Sequence, residues 1–199
     1  MNIKRLILGT VQFGQDYVTK QVPADEVYKI LHYAYDNGID TLDTAYAYGN
    51  YNILTSFMKD TGKIFSIISK VINTEELIIT IRYFPYMETC LTHGFDEELL
   101  NNLRRTLPNC KVGMSIYKKE ESRVCDVLQV PMIDEFIPLL GSHYHLRSIF
   151  GRGEKLKSKS VKDCLKEAFS TNAGKIVVGV DKLDHLQEII RIIKNDQVG

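Results

Sequence analysis

Net charge, cysteine and long apolar runs are all scarce in this sequence, and each scarcity closes off a class of function. Lysine plus arginine equals aspartate plus glutamate at 25 each, so no net basic field recruits nucleic acid or an anionic membrane. A small neutral partner or a nucleotide suits such a chain better. The four cysteines, Cys90, Cys110, Cys125 and Cys164, are widely scattered without Cys-x-x-Cys spacing, which argues against a zinc cluster or a disulfide framework. Reduced thiols in a cytoplasmic protein are expected. The longest apolar runs, such as KIFSII and KIVVGV, fall far below the roughly 20 residues of a membrane span. Neither a secretory leader, a low-complexity linker nor an internal repeat is expected.

What is present fits one domain over residues 1–199, since 199 residues at 44% hydrophobic composition suffice to bury a continuous core. Strand-like runs recur as RLILGT, GIDTLDTA, KIFSIISK, METCLTH, KVGMSIYK, VCDVLQV, HLRSIFG and KIVVGV. Most gaps between them carry helical patterns. In ADEVYKILHYAYDNG the apolar Val27, Ile30, Leu31 and Ala34 share one face and Gly38 closes the segment. Similar helices fit DEELLNNLRRTL, SVKDCLKEAF and LDHLQEIIRIIK. Strands alternating with helices imply right-handed crossovers and a parallel sheet, and eight strands imply a compact (β/α)8 TIM barrel with short loops.

In such a barrel the active site lies at the carboxyl ends of the strands. Asp43 and Tyr48 follow the second strand in LDTAYAYG, Lys70 ends the third and His93 ends the fourth. An acid, a phenol, an amine and an imidazole therefore leave three neighbouring strands on one rim. Singly, each has an ordinary structural explanation; their shared placement is what points to chemistry. An unperturbed phenol, with a pKa near 10, is a sluggish proton donor at neutral pH. An ammonium beside it lowers that pKa, and a carboxylate keeps the ammonium charged. Lys70 and Asp43 can supply these roles for Tyr48, with Tyr48 and Lys70 expected about 3 to 4 Å apart.

The chain resembles the aldo-keto reductase family through LGTVQFG, GIDTLDTAYAYG, the SK that ends a strand, and LTH, and the similarity continues through KVGMSIY, VLQVP, LRSIF and VVGVDKLDHLQE. The resemblance implies a catalytic tetrad of Asp43, Tyr48, Lys70 and His93, which would reduce a small-molecule aldehyde, ketone or sugar carbonyl. It implies NADP as cofactor, with NAD possible. Ser115 and Gln129 would hydrogen-bond the nicotinamide carboxamide, Gly9 and Thr10 would contact the nucleotide, and Gly179 and Val180 would offer backbone amides to phosphate. Many members carry a lysine and an arginine for the adenosine 2′-phosphate where this chain has Gly179 and His185, so Lys182 is the compensating candidate. The loops that usually cover the site are trimmed, implying a more open pocket. The alternative function is a catalytically weak nucleotide-binding or regulatory barrel.

Weaker features complete the reading. His143 and His145 form an HxH with no third metal ligand indicated. The GRG at Gly151 to Gly153, with the lysine-rich stretch after it, is either a phosphate cradle or a solvated loop. Val11, Phe13 and Tyr46 either line a substrate pocket or pack in the core.

Overall fold

The structure is a computed structural model that describes residues 1–196. Its eight strands are β1 Leu6–Gly9, β2 Thr41–Ala45, β3 Ser66–Val71, β4 Thr89–His93, β5 Lys111–Ser115, β6 Val127–Pro131, β7 Tyr144–Arg147 and β8 Lys175–Gly179. Every neighbouring pair is parallel, and β8 closes on β1 with Gly179 beside Gly9. All eight strand-like runs of the sequence thus form strands of one closed barrel.

Because side chains alternate along each strand, one set points inward and the other meets the helices. Ile7, Ile68, Leu91, Val127 and Val177 form a separate apolar cluster, which plugs the barrel interior. Lys70, His93 and Gln129 lie two residues past Ile68, Leu91 and Val127 on the same inward face, Ser115 pairs with His93 and Asp43 pairs with Ile68, so these polar residues sit at or above the carboxyl side of that plug. The outward residues, such as Leu8, Leu42 and Leu146, join the larger core between sheet and helices.

Among the described residues six α-helices surround the strands: α1 Ala24–Asp36, α2 Tyr51–Thr61, α3 Thr74–Tyr83, α4 Glu97–Thr106, α5 Val161–Ser170 and α6 Leu183–Asn195. Start signals are local. Asn73, Asp96 and Ser160 each accept a hydrogen bond from a backbone N–H in the first turn of α3, α4 and α5. The crossovers β5 to β6 and β6 to β7 hold only 3-10 turns, at Lys119–Glu121 and Ile137–Leu139, so helices do not alternate with every strand. The first link is dominated by charged residues and the second is interrupted by Pro138, which lacks an N–H to donate. Met132, Phe136 and Leu140 from that second link are buried in the core in place of a helix. No helix among the described residues is long and apolar enough to cross a membrane.

Candidate active site

Asp43 and Lys70 come from adjacent strands and meet inside the barrel, where Lys70 Nζ lies 2.6 Å from Asp43 Oδ1. The same ammonium donates to the Thr44 carbonyl at 3.1 Å. Asp43 Oδ2 accepts from Gln129 Nε2 at 2.6 Å, and Gln129 Oε1 accepts from Ser115 Oγ at 3.0 Å. One connected chain therefore runs from β5 through β6 and β2 to β3. Lys70 is almost fully buried; desolvation pushes its pKa down and the Asp43 charge pulls it back up. Ser115 and Gln129, selected for a carboxamide, are already bonded to each other, leaving the second lone pair of Gln129 Oε1 and the second Nε2 hydrogen for a ligand.

Tyr48 stands on a 3-10 turn, Tyr46–Tyr48, that ends at Gly49 in the left-handed conformation, φ 68°. The turn is fastened from behind. Asn50 Nδ2 donates to the Thr10 carbonyl at 2.7 Å and to Thr10 Oγ1 at 2.9 Å, while Thr44 Oγ1 donates to Asn50 Oδ1 at 2.8 Å. Gly14 packs so closely that a Cβ there would come within 1.8 Å of the Tyr48 carbonyl oxygen. Sequence reasoning missed Asn50, although asparagine before a helix is a common signal; here its side chain spans β1 and β2 instead of capping α2.

The expected contact between phenol and ammonium is not made. Lys70 Nζ lies 5.4 Å from the Tyr48 ring centroid, no hydrogen bond joins the two side chains, and the ammonium is committed to Asp43 and Thr44. Burial raises the Tyr48 pKa, Asp43 raises it further, and Arg147 opposes both. The phenol is therefore held protonated at neutral pH. His93 meets Tyr48 edge-on, with ring centroids 6.1 Å apart and planes at 87°. Burial and then Lys70 push the His93 pKa down to about 4, which leaves the imidazole neutral with one N–H to donate.

These groups open onto a cavity of about 560 Å³. Asp43, Tyr48, Lys70, His93, Ser115 and Gln129 line it, as do Gly9, Thr10, Gly179 and Val180. Lys182 does not; its side chain is exposed at the start of α6. Val11 lines the cavity, Phe13 is buried in the core, and Tyr46 is exposed outside it. His145 points into the barrel while the His143 ring lies beside Tyr144, and no group of three histidine, cysteine or acidic residues suited to a metal occurs among the described residues. The GRG segment belongs to the cavity wall. Ser148, Gly151, Arg152 and Gly153 have positive φ, at 56°, 57°, 57° and 90°, and the amides of Gly151 and Gly153 donate to the Ser148 and Phe150 carbonyls, closing the segment into tight turns. Arg147, at the end of β7, also lines the cavity and was not singled out in the sequence.

The aldo/keto reductase family model matches residues 5–116, which is more than half of the chain. A putative aryl-alcohol dehydrogenase of Saccharomyces cerevisiae is 28% identical over 148 residues, covering 70% of this chain and 42% of that protein. The chain thus matches less than half the length of that curated relative. Among solved structures, an aldo-keto reductase from Bacillus halodurans in its holo form has a TM-score of 0.73 at 16% identity, covering 96% of this chain and 86% of that one. A glycerol dehydrogenase from Gluconobacter oxydans has a TM-score of 0.72 at 14% identity, covering 94% and 86%. An aldo/keto reductase from Klebsiella pneumoniae, solved with NADP and acetate, has a TM-score of 0.69 at 13% identity, covering 95% and 85%. Those identities speak for the shared barrel, while the family match spans β1 to β5 and so includes Asp43, Lys70, His93 and Ser115 on strands and Tyr48 on the turn after β2: the chain belongs to the aldo/keto reductase family.

Proposed function

We propose that this barrel reduces a small-molecule aldehyde or ketone with NADPH or NADH, and that Tyr48 is the proton donor. The observation that carries the reading is the buried Asp43–Lys70 pair beneath a protonated Tyr48 and a neutral His93, all opening on one cavity. Bound nicotinamide cofactor supplies the hydride. The chain's own residues fit it: Ser115 and Gln129 offer polar atoms on one wall, and Gly9 and Gly179 leave their shared edge bare of side chains.

In the reaction, the His93 N–H donates to the substrate carbonyl oxygen and fixes it beside the Tyr48 hydroxyl. As the carbonyl carbon gains its hydride, negative charge grows on that oxygen, which takes the phenolic proton. The raised Tyr48 pKa does not prevent this step, because an alkoxide is a far stronger base than a phenolate. It does mean that the phenolate left behind needs nearby positive charge. Lys70, 5.4 Å from the ring, and Arg147, which opposes the rise in the Tyr48 pKa, provide it. Asp43 keeps Lys70 charged despite burial.

Tyr48→Phe tests the assignment, since it removes the hydroxyl and keeps the ring. Reduction by the variant is expected to fall roughly 10²-fold or more, with NADPH affinity little changed. Undiminished turnover would overturn the role of Tyr48. The free Tyr48 hydroxyl, without a hydrogen bond to Lys70, favours a second reading as a weakly catalytic nucleotide-binding barrel. That reading is selected if the wild-type protein binds NADPH tightly but reduces no member of a carbonyl panel.

A further inference from the structure

The cavity has a second end that the proposed reaction does not use. Strand order sets β1 and β8 across the barrel from β4 and β5, and beyond Gly9 and Gly179 the wall continues outside the sheet over the first turns of α6, where Asp181, His185 and Glu188 line it. Ser115 and Gln129 stand at the other end. A dinucleotide whose nicotinamide lies against Ser115 and Gln129 carries its adenosine toward α6, so the side chains there decide which nicotinamide nucleotide fits.

That end is acidic. The Asp181 side chain is only 15% exposed, and its Oδ1 lies 2.7 Å from His185 Nδ1. Burial alone raises its pKa, but hydrogen bonds from His185 and Thr19 outweigh burial and hold the carboxyl below its ordinary range, so it is ionised at neutral pH. A carboxylate has about four acceptor sites, and these two donors leave the rest for a ligand. Glu188 makes no ion pair or hydrogen bond among the described residues. The Leu183 amide, at the positive end of α6, already donates to Glu26 Oε1 at 2.8 Å. The cations of the wall lie elsewhere: Lys70 is paired with Asp43, Arg147 Cζ sits 4.1 Å from the Tyr117 ring centroid, and Arg152 Cζ sits 5.4 Å from that of Tyr17. Lys182 and Arg191 flank this part of α6 without lining the cavity.

A carboxylate accepts hydrogen bonds from a ribose diol, whereas a second carboxylate beside it makes a phosphate dianion costly to seat. Rossmann-type sites discriminate by the same chemistry, with an acid on a free 2′-hydroxyl and an arginine near a 2′-phosphate. We propose that Asp181, backed by Glu188, accepts hydrogen bonds from the adenosine ribose and disfavours a 2′-phosphate, so that this protein takes NADH in preference to NADPH. The inference rests on reading the cavity as a nicotinamide-nucleotide site and goes beyond it by choosing between the two nucleotides. Asp181 takes no part in hydride or proton transfer. It selects the nucleotide that the rest of the cavity uses.

Fluorescence titrations with NADH and NADPH measure the two dissociation constants without any substrate. Wild type is expected to bind NADH about 10-fold more tightly, the equivalent of about 1.4 kcal/mol. Asp181→Ser removes the charge and keeps a hydroxyl, and should bring the two constants together, mainly through a gain for NADPH. Asp181→Asn serves if the serine variant does not fold, and Glu188→Gln should move the ratio the same way by less. Wild type that binds NADPH as tightly as NADH overturns the proposal, as does a ratio unchanged in both Asp181 variants. A loss confined to NADPH in Arg152→Gln also overturns it, because the 2′-phosphate would then belong to Arg152. Calorimetry with 5′-AMP and 2′,5′-ADP, which differ only in the 2′-phosphate, separates this proposal from the reductase reading. Asp181-dependent preference for 5′-AMP in a protein that reduces no carbonyl with either nucleotide would sustain the proposal and overturn the reductase. Carbonyl reduction by a protein that binds NADPH and 2′,5′-ADP more tightly than NADH and 5′-AMP would do the reverse.

Discussion

On the β2 and β3 side of the cavity, Lys70 and Asp43 meet at 2.6 Å, and both aspartate oxygens and the Gln129 amide are hydrogen-bonded before any ligand arrives. On the β7 side, two inward residues of one strand, His145 and Arg147, each bury a nitrogen that has no partner. The first region is a finished electrostatic unit whose geometry does not depend on substrate. The second is unfinished, although of its two residues Arg147 lines the cavity and His145 lies below it. Charge that is paired before a reaction needs no reorganisation during it, whereas a partnerless buried group leaves its wall open to change.

The finished side should break hardest. Asp43→Ala removes the one carboxylate that, among the described residues, pairs with the buried Lys70, so about 3–5 kcal/mol of stability should be lost at neutral pH, measured by urea unfolding. The pH dependence has a defined sign. Lys70 has a folded pKa below its ordinary 10.5, so the unfolded chain holds that proton more tightly. Without Asp43 the depression deepens, and the variant should regain stability as pH rises toward 10.5, more steeply than wild type. A variant as stable as wild type at pH 7 would show that the pair is not the anchor described here.

Asn50→Ala should come next. It deletes hydrogen bonds of 2.7, 2.9 and 2.8 Å and strands the buried Thr10 and Thr44 groups they served, at a cost of roughly 3 kcal/mol. Because those bonds tie the Tyr48 turn to β1, turnover should fall by more than the loss of folded protein explains. A stability loss with unchanged turnover per folded molecule would show that Gly14 and Gly49 hold Tyr48 without Asn50.

The unfinished side should respond to acid. Burial pushes the His145 pKa from 6.5 down to about 4, so the unfolded chain takes up a proton in that window and the folded one does not. The contribution is complete above pH 6.5 and is lost as pH falls to about 4. His93 follows the same window, so wild type should lose stability across it, and His145→Leu should lose less, by up to about 3 kcal/mol. Identical slopes in the two proteins would mean that His145 is not buried as a neutral ring.

The finished side was also the legible one. Strand runs with an acid, a lysine and a histidine at their ends announce themselves in sequence, because inward parity and strand ends are both visible as spacing. So were α1, α4, α5 and α6, whose apolar stripes are clean. The helix α3 was not named, since LIITI within it carries β-branched residues that suit a strand equally well; only Asn73 and the glutamates after it mark a helix start. The helix α2 mixes Thr55, Ser56 and Asn52 among its buried Tyr51, Leu54 and Phe57, which blurs its stripe. Arg147 was illegible for a different reason. A basic residue at a strand end reads as solvated, and only the closed barrel shows that it faces inward beside Tyr117 with no acid to meet it.

The smallest effect should run in the opposite direction. Lys182 occupies the N-cap of α6 with extended backbone, φ −147° and ψ 151°, and makes no side-chain cap. A lysine there places positive charge at the positive end of the helix dipole, whereas a serine accepts a bond from the first turn, as Ser160 does in α5. Lys182→Ser should therefore stabilise the protein by about 0.5–1 kcal/mol in thermal or urea unfolding. The same variant bears on the cofactor, because Lys182 lies outside the cavity wall while Asp181 and Glu188 line it. With its side chain pointing to solvent, the ratio of NADPH to NADH dissociation constants should stay within about threefold of wild type, less than the tenfold that 1.4 kcal/mol represents. A larger loss for NADPH alone would show that Lys182 swings over the bound 2′-phosphate, and would return it to the site from which its position outside the cavity wall removes it.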